Sequence, residues 1–382
     1  VTVKEQSEFS KGLEDVVAAE SSICAIDGKA SKLFYRGYEI HDLAELSNFE
    51  ETAYLLLFGA LPMKEQLSAF RARLAAERKA PSEVFDFFAR LPKGANSMAA
   101  LRTAMSLLSF YDREADDKSR EANERKAFRL IARTPAVVAG FERIRRGEKP
   151  VDPSADPNVS IAADFLRMMK GKDASPVEAK MLDKYFVLLA EHDLNASTFA
   201  AVITVATLSD MYSGVTSAVG TLKGELHGYA NSRAMETILE IADAANVDAY
   251  VDRAISEKKK LMGFGHRVYK GPDPRAYDLR IMARTLAESN REQAKWFAIS
   301  EKLEKAVYDR KKLSPNVDFY SASVLYTVGI PVDLFTPMFA ISRMAGWTAH
   351  MIEQLSDNRL IRPVSHYVGR ADLRYVPIEE RR

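Results

Sequence analysis

Ser175-Pro-Val-Glu-Ala-Lys-Met-Leu-Asp-Lys-Tyr-Phe-Val-Leu-Leu-Ala-Glu191 is the stretch that sets the fold class. Ser175 and Glu178 have the spacing of a capping box, and Pro176 stands at the first helical position, where its missing N–H costs nothing. The spacing predicts a helix to about Glu191, with His192 at its C-terminal end. The same grammar recurs along most of the chain. Ser47 and Glu50 form a second capping-box pattern, opening a helix over Phe49–Phe58 that Gly59 and Pro62 close. Thr336-Pro337 opens another that reaches Ser356, and on it Arg343, Trp347 and His350 share one face. A helix from about Asn123 to Arg146 is expected to kink at Pro135. Gly147–Pro153 and Lys170–Ser175 read as loops.

Only Ser21–Tyr38 reads as extended: Ile23, Ala25, Leu33 and Tyr35 alternate around the turn pair Asp27-Gly28. The class is therefore all-α and multihelical, with a small N-terminal β-hairpin. At 382 residues the chain is too long for one ordinary core. Glycine-rich breaks at 214–231 and 263–275 are the expected hinges. The expected division is a large domain, 1–221 with 321–382, and a small helical domain, 222–320, with these breaks as hinges around the smaller one.

Lysine and arginine number 54 against 53 acidic residues, a net charge of +1, so no global field draws the chain to nucleic acid or to a membrane. Anionic substrates would have to be held by a few arginines gathered in one cleft. Cys24 is the only cysteine, which excludes an intrachain disulfide and cysteine-based metal spacing, and points to a reducing, cytoplasmic compartment. No run approaches the roughly 20 apolar residues of a membrane span. The opening Val1–Ser10 is polar rather than signal-like, and a first residue other than Met suggests a processed start.

The chemistry-bearing residues sit at breaks in the helical pattern. Asp318 lies in Ser314-Pro-Asn-Val-Asp-Phe-Tyr320, and two histidines lie in Leu226-His-Gly-Tyr-Ala-Asn231 and Gly263-Phe-Gly-His-Arg-Val-Tyr269. One carboxylate and two imidazoles suit proton abstraction beside a carbonyl. Taken singly, each has a plainer reading. A histidine beside glycine is more often a turn residue, and Asp318 would cap a helix starting near Tyr320. Arg343 would pair with an acid, and Lys258-Lys259-Lys260 would be a solvated helix end. His41 and His366 are expected to face solvent, and His350 to pack or line an interface.

Taken together, Glu191-His-Asp-Leu-Asn-Ala-Ser-Thr198, the two histidine turns, Asp273-Pro-Arg275, Pro315-Asn-Val-Asp-Phe319, Ser342-Arg-Met-Ala-Gly-Trp-Thr-Ala-His350 and Arg359-Leu-Ile-Arg-Pro363 resemble citrate synthase. Leu101-Arg-Thr-Ala104 and Lys11-Gly-Leu-Glu14 extend the resemblance, in the same order, along nearly the whole chain. It implies a condensation of acetyl-CoA with oxaloacetate followed by hydrolysis of citryl-CoA, without a further cofactor or a metal. Asp318 matches the general base, His227 the donor to the thioester oxygen, and His266 the group that polarises the oxaloacetate ketone. Arg275, Arg343 and Arg362 match the carboxylate ligands, with His192 beside them, and the family's equivalent of Arg362 comes from a partner subunit, which implies a homodimer. Leu261, Met262, Gly263, Phe264 and Gly265 match the CoA loop, with Arg267, Lys270 and Asn316 as further candidates.

Three departures stand out. Tyr229 replaces a glycine common in the family and is a bulky candidate to reshape the acyl pocket; Asn96-Ser-Met98 lacks a noncatalytic histidine; and Ala322 replaces a glycine near the base. A 2-methylcitrate synthase using propionyl-CoA would share the same residues, since one methylene is worth only about 1–3 kcal/mol of selectivity. A noncatalytic protein binding CoA or oxaloacetate is the remaining alternative.

Overall fold

The computed structural model describes residues 9–381, so the polar opening residues 1–8 lie outside the described part. Among the described residues are sixteen α-helices, as the helical periodicity led us to expect of an all-α chain, and one antiparallel sheet that adds a third short strand to the expected hairpin. The Pro176–Leu189 helix starts as its sequence dictates, with a full Ser175–Glu178 capping box and Pro at the first turn. It stops at Ala190, which leaves His192 in the following turn.

The centre of the molecule is the Phe335–Ser356 helix, whose residues are buried from Phe335 through Ile352. It packs against helices Arg120–Arg145, Ala196–Ala206, Met211–Leu222, Phe49–Phe58 and Pro176–Leu189. Gly346 allows the closest of these approaches: a Cβ there would lie 2.1 Å from Glu191 Oε2 and 2.5 Å from the Ala190 carbonyl. Any side chain would push the last turn of Pro176–Leu189 away, and with it the segment carrying His192. A second group of helices, Ala230–Ile241, Val247–Ser256, Pro274–Ser289, Ala294–Lys311 and Val317–Thr327, packs mainly on itself. Its Pro274–Ser289 member also touches the Ile40–Leu46 and Pro176–Leu189 helices.

Several local expectations shift. The cap of Phe49–Phe58 is Asn48, which accepts from the Glu51 amide, and not Ser47. Glu50 is instead buried and accepts a bond from the Ile161 amide. The continuous helix expected around Pro135 is present as one element, Arg120–Arg145, and starts three residues earlier than Asn123. In the sheet, β1 (Cys24–Asp27), β2 (Lys32–Tyr35) and β3 (Tyr38–Glu39) pair in that order, with Cys24 opposite Tyr35. Ile23, Leu33 and Tyr35 are buried as expected, whereas Ala25 is exposed, because Ile23 precedes the strand and inward positions within it fall on Cys24 and Ile26. Residues 211–222 are helical, so the first glycine-rich break is confined to 223–229. Gly214 inside that helix is a packing residue, with Met351 Sδ only 2.4 Å from where its Cβ would stand. No helix among the described residues is long and apolar enough to cross a membrane.

Candidate active site

Asp318 lies in the first turn of Val317–Thr327, and the expected conflict between capping and catalysis is resolved by a neighbour. Asn316 is the cap, and its Oδ1 accepts from the Asp318 amide at 3.0 Å. The Asp318 carboxylate is thereby released from backbone duty, and its Oδ1 is buried with no hydrogen-bond partner. Burial pushes this carboxyl up to about 7; Arg275 and Arg343 pull it back, and Asp273 raises it further. A half-buried carboxyl that titrates near neutrality, with a free oxygen, is poised to take a proton.

The segment facing Asp318 is held to it by backbone pairing. Gly265 N donates to Ser314 O at 2.9 Å, Asn316 N donates to Gly263 O at 2.9 Å, and Asn316 Nδ2 donates to Gly265 O at 2.8 Å. The Phe264 and Phe319 rings pack 4.5 Å apart. Gly263, at φ 86°, both adopts a left-handed turn and lets its backbone approach Phe319, whose Cα lies 3.0 Å from an added Cβ. Leu261 and Met262 are half-buried at the mouth of this loop. Asn316, one of the CoA candidates, spends both ends of its amide on these internal bonds. Lys259 binds Glu240 and the Tyr250 hydroxyl, Arg267 is exposed 3.8 Å from Glu14, and Lys270 is exposed.

Both histidines show which ring nitrogen carries the proton. His266 Nδ1 accepts from the amides of Val268, at 3.0 Å, and Tyr269, at 3.2 Å. An amide N–H only donates, so Nδ1 is bare and the neutral ring holds its proton on Nε2. His227 is the reverse case. Its Nε2 lies 2.8 Å from Ser197 Oγ and accepts from the Ser197 amide at 3.3 Å, which leaves the proton on Nδ1. Ser197 Oγ in turn accepts from Trp347 Nε1 at 3.2 Å. Burial lowers both rings to about 4. Arg343 adds to the effect at His227, while at His266 Asp273 opposes it and Arg275 reinforces it. At neutral pH the site presents two neutral imidazoles, each with one fixed N–H.

His192 completes the cluster. Its Nε2 is 3.1 Å from the Tyr269 hydroxyl, and its ring centroid is 5.5 Å from that of His266. Burial, then the Arg275 and Arg343 charges, hold it well below the ordinary value and so neutral.

Two guanidiniums are buried here and are handled differently. Arg275 is 2% exposed and forms a two-pronged bond to Asp273, with Nε to Oδ1 at 3.0 Å and Nη2 to Oδ2 at 2.9 Å. Asp273 also caps the Pro274–Ser289 helix and accepts from the Val317 amide at 3.0 Å, so one carboxylate ties Arg275 to the Asp318 turn. Arg343 is 1% exposed; its Nε donates to the Leu189 carbonyl at 2.8 Å, and its plane lies over Phe339. The ion pair that the plainer reading required does not form, and burial lowers its pKa. A buried cation without a carboxylate costs free energy that a bound anion would recover.

Not every expected residue joins the cluster. Arg362 lies exposed in the extended C-terminal segment of this chain. Tyr229 turns its ring under Arg233, 5.1 Å from the guanidinium, as part of the first turn of Ala230–Ile241. His41 is not a free surface residue: its Nδ1 is 2.6 Å from Asp278 Oδ2. His366 is exposed, and His350 is buried against Glu191 at 3.0 Å. Sequence reasoning gave no individual role to Ser197, Tyr269 or Asp273. Of these, Asp273 was detectable, since Asp-Pro-Arg is a cap followed by proline at the first helical position. Among the described residues no cluster of three His, Cys, Asp or Glu is placed to hold a metal ion.

Residues 12–364 match the family model described as "Citrate synthase, C-terminal domain", which defines an enzyme that transfers acyl groups. The chain belongs to the citrate synthase family. It is 48% identical to "Citrate synthase 2" of Bacillus subtilis, covering 97% of this chain and 99% of that one. It is 40% identical to "2-methylcitrate synthase 1" of Corynebacterium glutamicum, covering 98% and 99%. Its fold matches, with a TM-score of 0.92, the citrate synthase of Thermoplasma acidophilum solved as a ternary complex with carboxymethyl coenzyme A and oxaloacetate; identity is 35%, covering 98% and 100%.

Proposed function

We propose that this protein condenses acetyl-CoA with oxaloacetate and hydrolyses the resulting citryl-CoA to citrate and CoA. The observation that carries this reading is the division of protons in the cleft: one near-neutral carboxyl with a free oxygen, and two imidazoles each holding a single N–H in a fixed direction. Asp318 removes a methyl proton of acetyl-CoA as His227 Nδ1–H bonds to the thioester oxygen, where negative charge develops. The enol carbon then attacks the oxaloacetate ketone, whose oxygen receives the hydrogen bond from His266 Nε2 as it becomes an alkoxide. Water cleaves the thioester of citryl-CoA and releases the CoA thiol.

Arg343 and Arg275 supply the charge for the dicarboxylate, with His192 beside them. Arg343 is supported in this role by its burial without an acidic partner. The loop from Leu261 to Gly265 is the proposed CoA contact. The self-packed helical group from Ala230 to Thr327 is the proposed closing domain, seven residues longer at its C-terminal end than the expected 222–320 because the Val317–Thr327 helix crosses that boundary, and Arg362 is the residue contributed across a cytoplasmic homodimer. The 2-methylcitrate reading is kept in view by the Corynebacterium relative. Asp318→Ala tests the assignment: thiol release stops, and calorimetry still detects oxaloacetate binding. Loss of both together would mean that Asp318 holds the fold instead.

A further inference from the structure

The N-terminal hairpin has no part in the chemistry above, yet its tip is seated on the segment that carries His266. The β1–β2 turn spans residues 28–31 and is tied internally by Asp27 Oδ1, which accepts from the Lys29 amide at 3.0 Å and the Ala30 amide at 2.8 Å. That folding turns the Gly28 carbonyl outward, where it accepts from the Lys270 amide at 2.8 Å. Three consecutive amides are thus committed: Val268 and Tyr269 donate to His266 Nδ1, and Lys270 donates to the hairpin.

Gly28 is required by space, not by backbone conformation. Its φ is not positive, but a Cβ would stand 2.4 Å from the Val268 carbonyl oxygen and 3.2 Å from its carbon. These are backbone atoms, so the loop itself would have to retreat. A second close approach lies beside it: a Cβ on Gly271 would meet Ser31 Oγ at 2.7 Å, which is the end of a mobile side chain and yields more easily.

We propose that Gly28 is a positioning residue for His266, and that the hairpin tip clamps residues 268–271 so that the His266 N–H points at the oxaloacetate ketone. The amide ladder is the physical link. Displacing the Val268 peptide moves the two amides that fix His266 Nδ1, and hence the direction of the Nε2–H bond. The inference rests on the role proposed for His266.

The test uses the full chain with oxaloacetate labelled with 13C at its ketone carbon. In the wild type, binding moves this resonance downfield, because a hydrogen bond polarises the carbonyl. In Gly28→Ala the displacement is smaller and kcat/KM for oxaloacetate falls by roughly 10- to 100-fold, the scale of an ångström-level misplacement. The melting temperature and CoA affinity stay near wild type. Gly271→Ala gives a milder version, and adding Ser31→Gly restores both the resonance and the rate; this pair decides the matter should Gly28→Ala not fold. Wild-type resonance and wild-type kcat/KM in folded Gly28→Ala, or in Gly271→Ala, would overturn the proposal. A wild type with neither resonance change nor turnover would instead refute the role of His266.

Discussion

Asp318→Asn should make the unliganded protein more stable while abolishing turnover. In the folded state burial raises the carboxyl from 3.8 to about 7. A raised carboxyl favours the protonated form on folding. Its contribution is complete below about pH 4, is lost progressively as pH rises toward 7, and is gone above it. At about 1.4 kcal/mol per pH unit, the ionised wild type carries a penalty of up to ~4 kcal/mol on that plateau. Water reaching the half-buried side chain reduces this, and we expect about 1–3 kcal/mol. The buried Oδ1 has no partner to lose, so an amide is tolerated there. Urea unfolding of wild type and variant at intervals from about pH 4.5 to 8 measures it. The stability gap should widen through this range and level off above neutrality. A gap that stays flat, or a variant less stable at pH 8, would refute the claim that Asp318 is held at the expense of the fold.

Arg343→Leu should weaken oxaloacetate binding by about 2–5 kcal/mol, the scale for truncating one side of a buried charge pair, and leave CoA binding nearly unchanged. Calorimetry with each ligand separates the two, and equal weakening would argue for a structural role. The His41–Asp278 pair links Ile40–Leu46 to the helix bearing Arg275. The hydrogen bond to Asp278 raises His41, so its stabilisation is full below about pH 6.5 and disappears as pH rises through the folded value. His41→Ala should therefore melt below wild type at pH 6 and converge with it by pH 9; a gap independent of pH would exclude the charged pair.

The fold was legible because its signals are local. The Ser175 capping box, the Gly59 stop and the Thr336-Pro337 start each appear where their spacing placed them, within a residue or so. Signals failed where one residue had a stronger tertiary use. Glu50 has capping-box spacing, but it is drawn into the core by the Ile161 amide, and Asn48 takes over the cap. His41 looks isolated in sequence because its partner Asp278 is more than two hundred positions away. For the site, residue types and order named the groups proposed to react, yet their protonation came only with the partners. Which nitrogen of His227 is bare depends on Ser197, and which of His266 on two amides of its own loop. The freeing of Asp318 from capping depends on Asn316, a neighbour that also matches the family's CoA contacts.

Release of the CoA thiol by the purified protein, with oxaloacetate and either acetyl-CoA or propionyl-CoA, tests the central claim most directly. We predict turnover with a higher kcat/KM for acetyl-CoA. A propionyl preference would make the protein a 2-methylcitrate synthase, and no thiol release with either substrate would contradict the catalytic reading altogether.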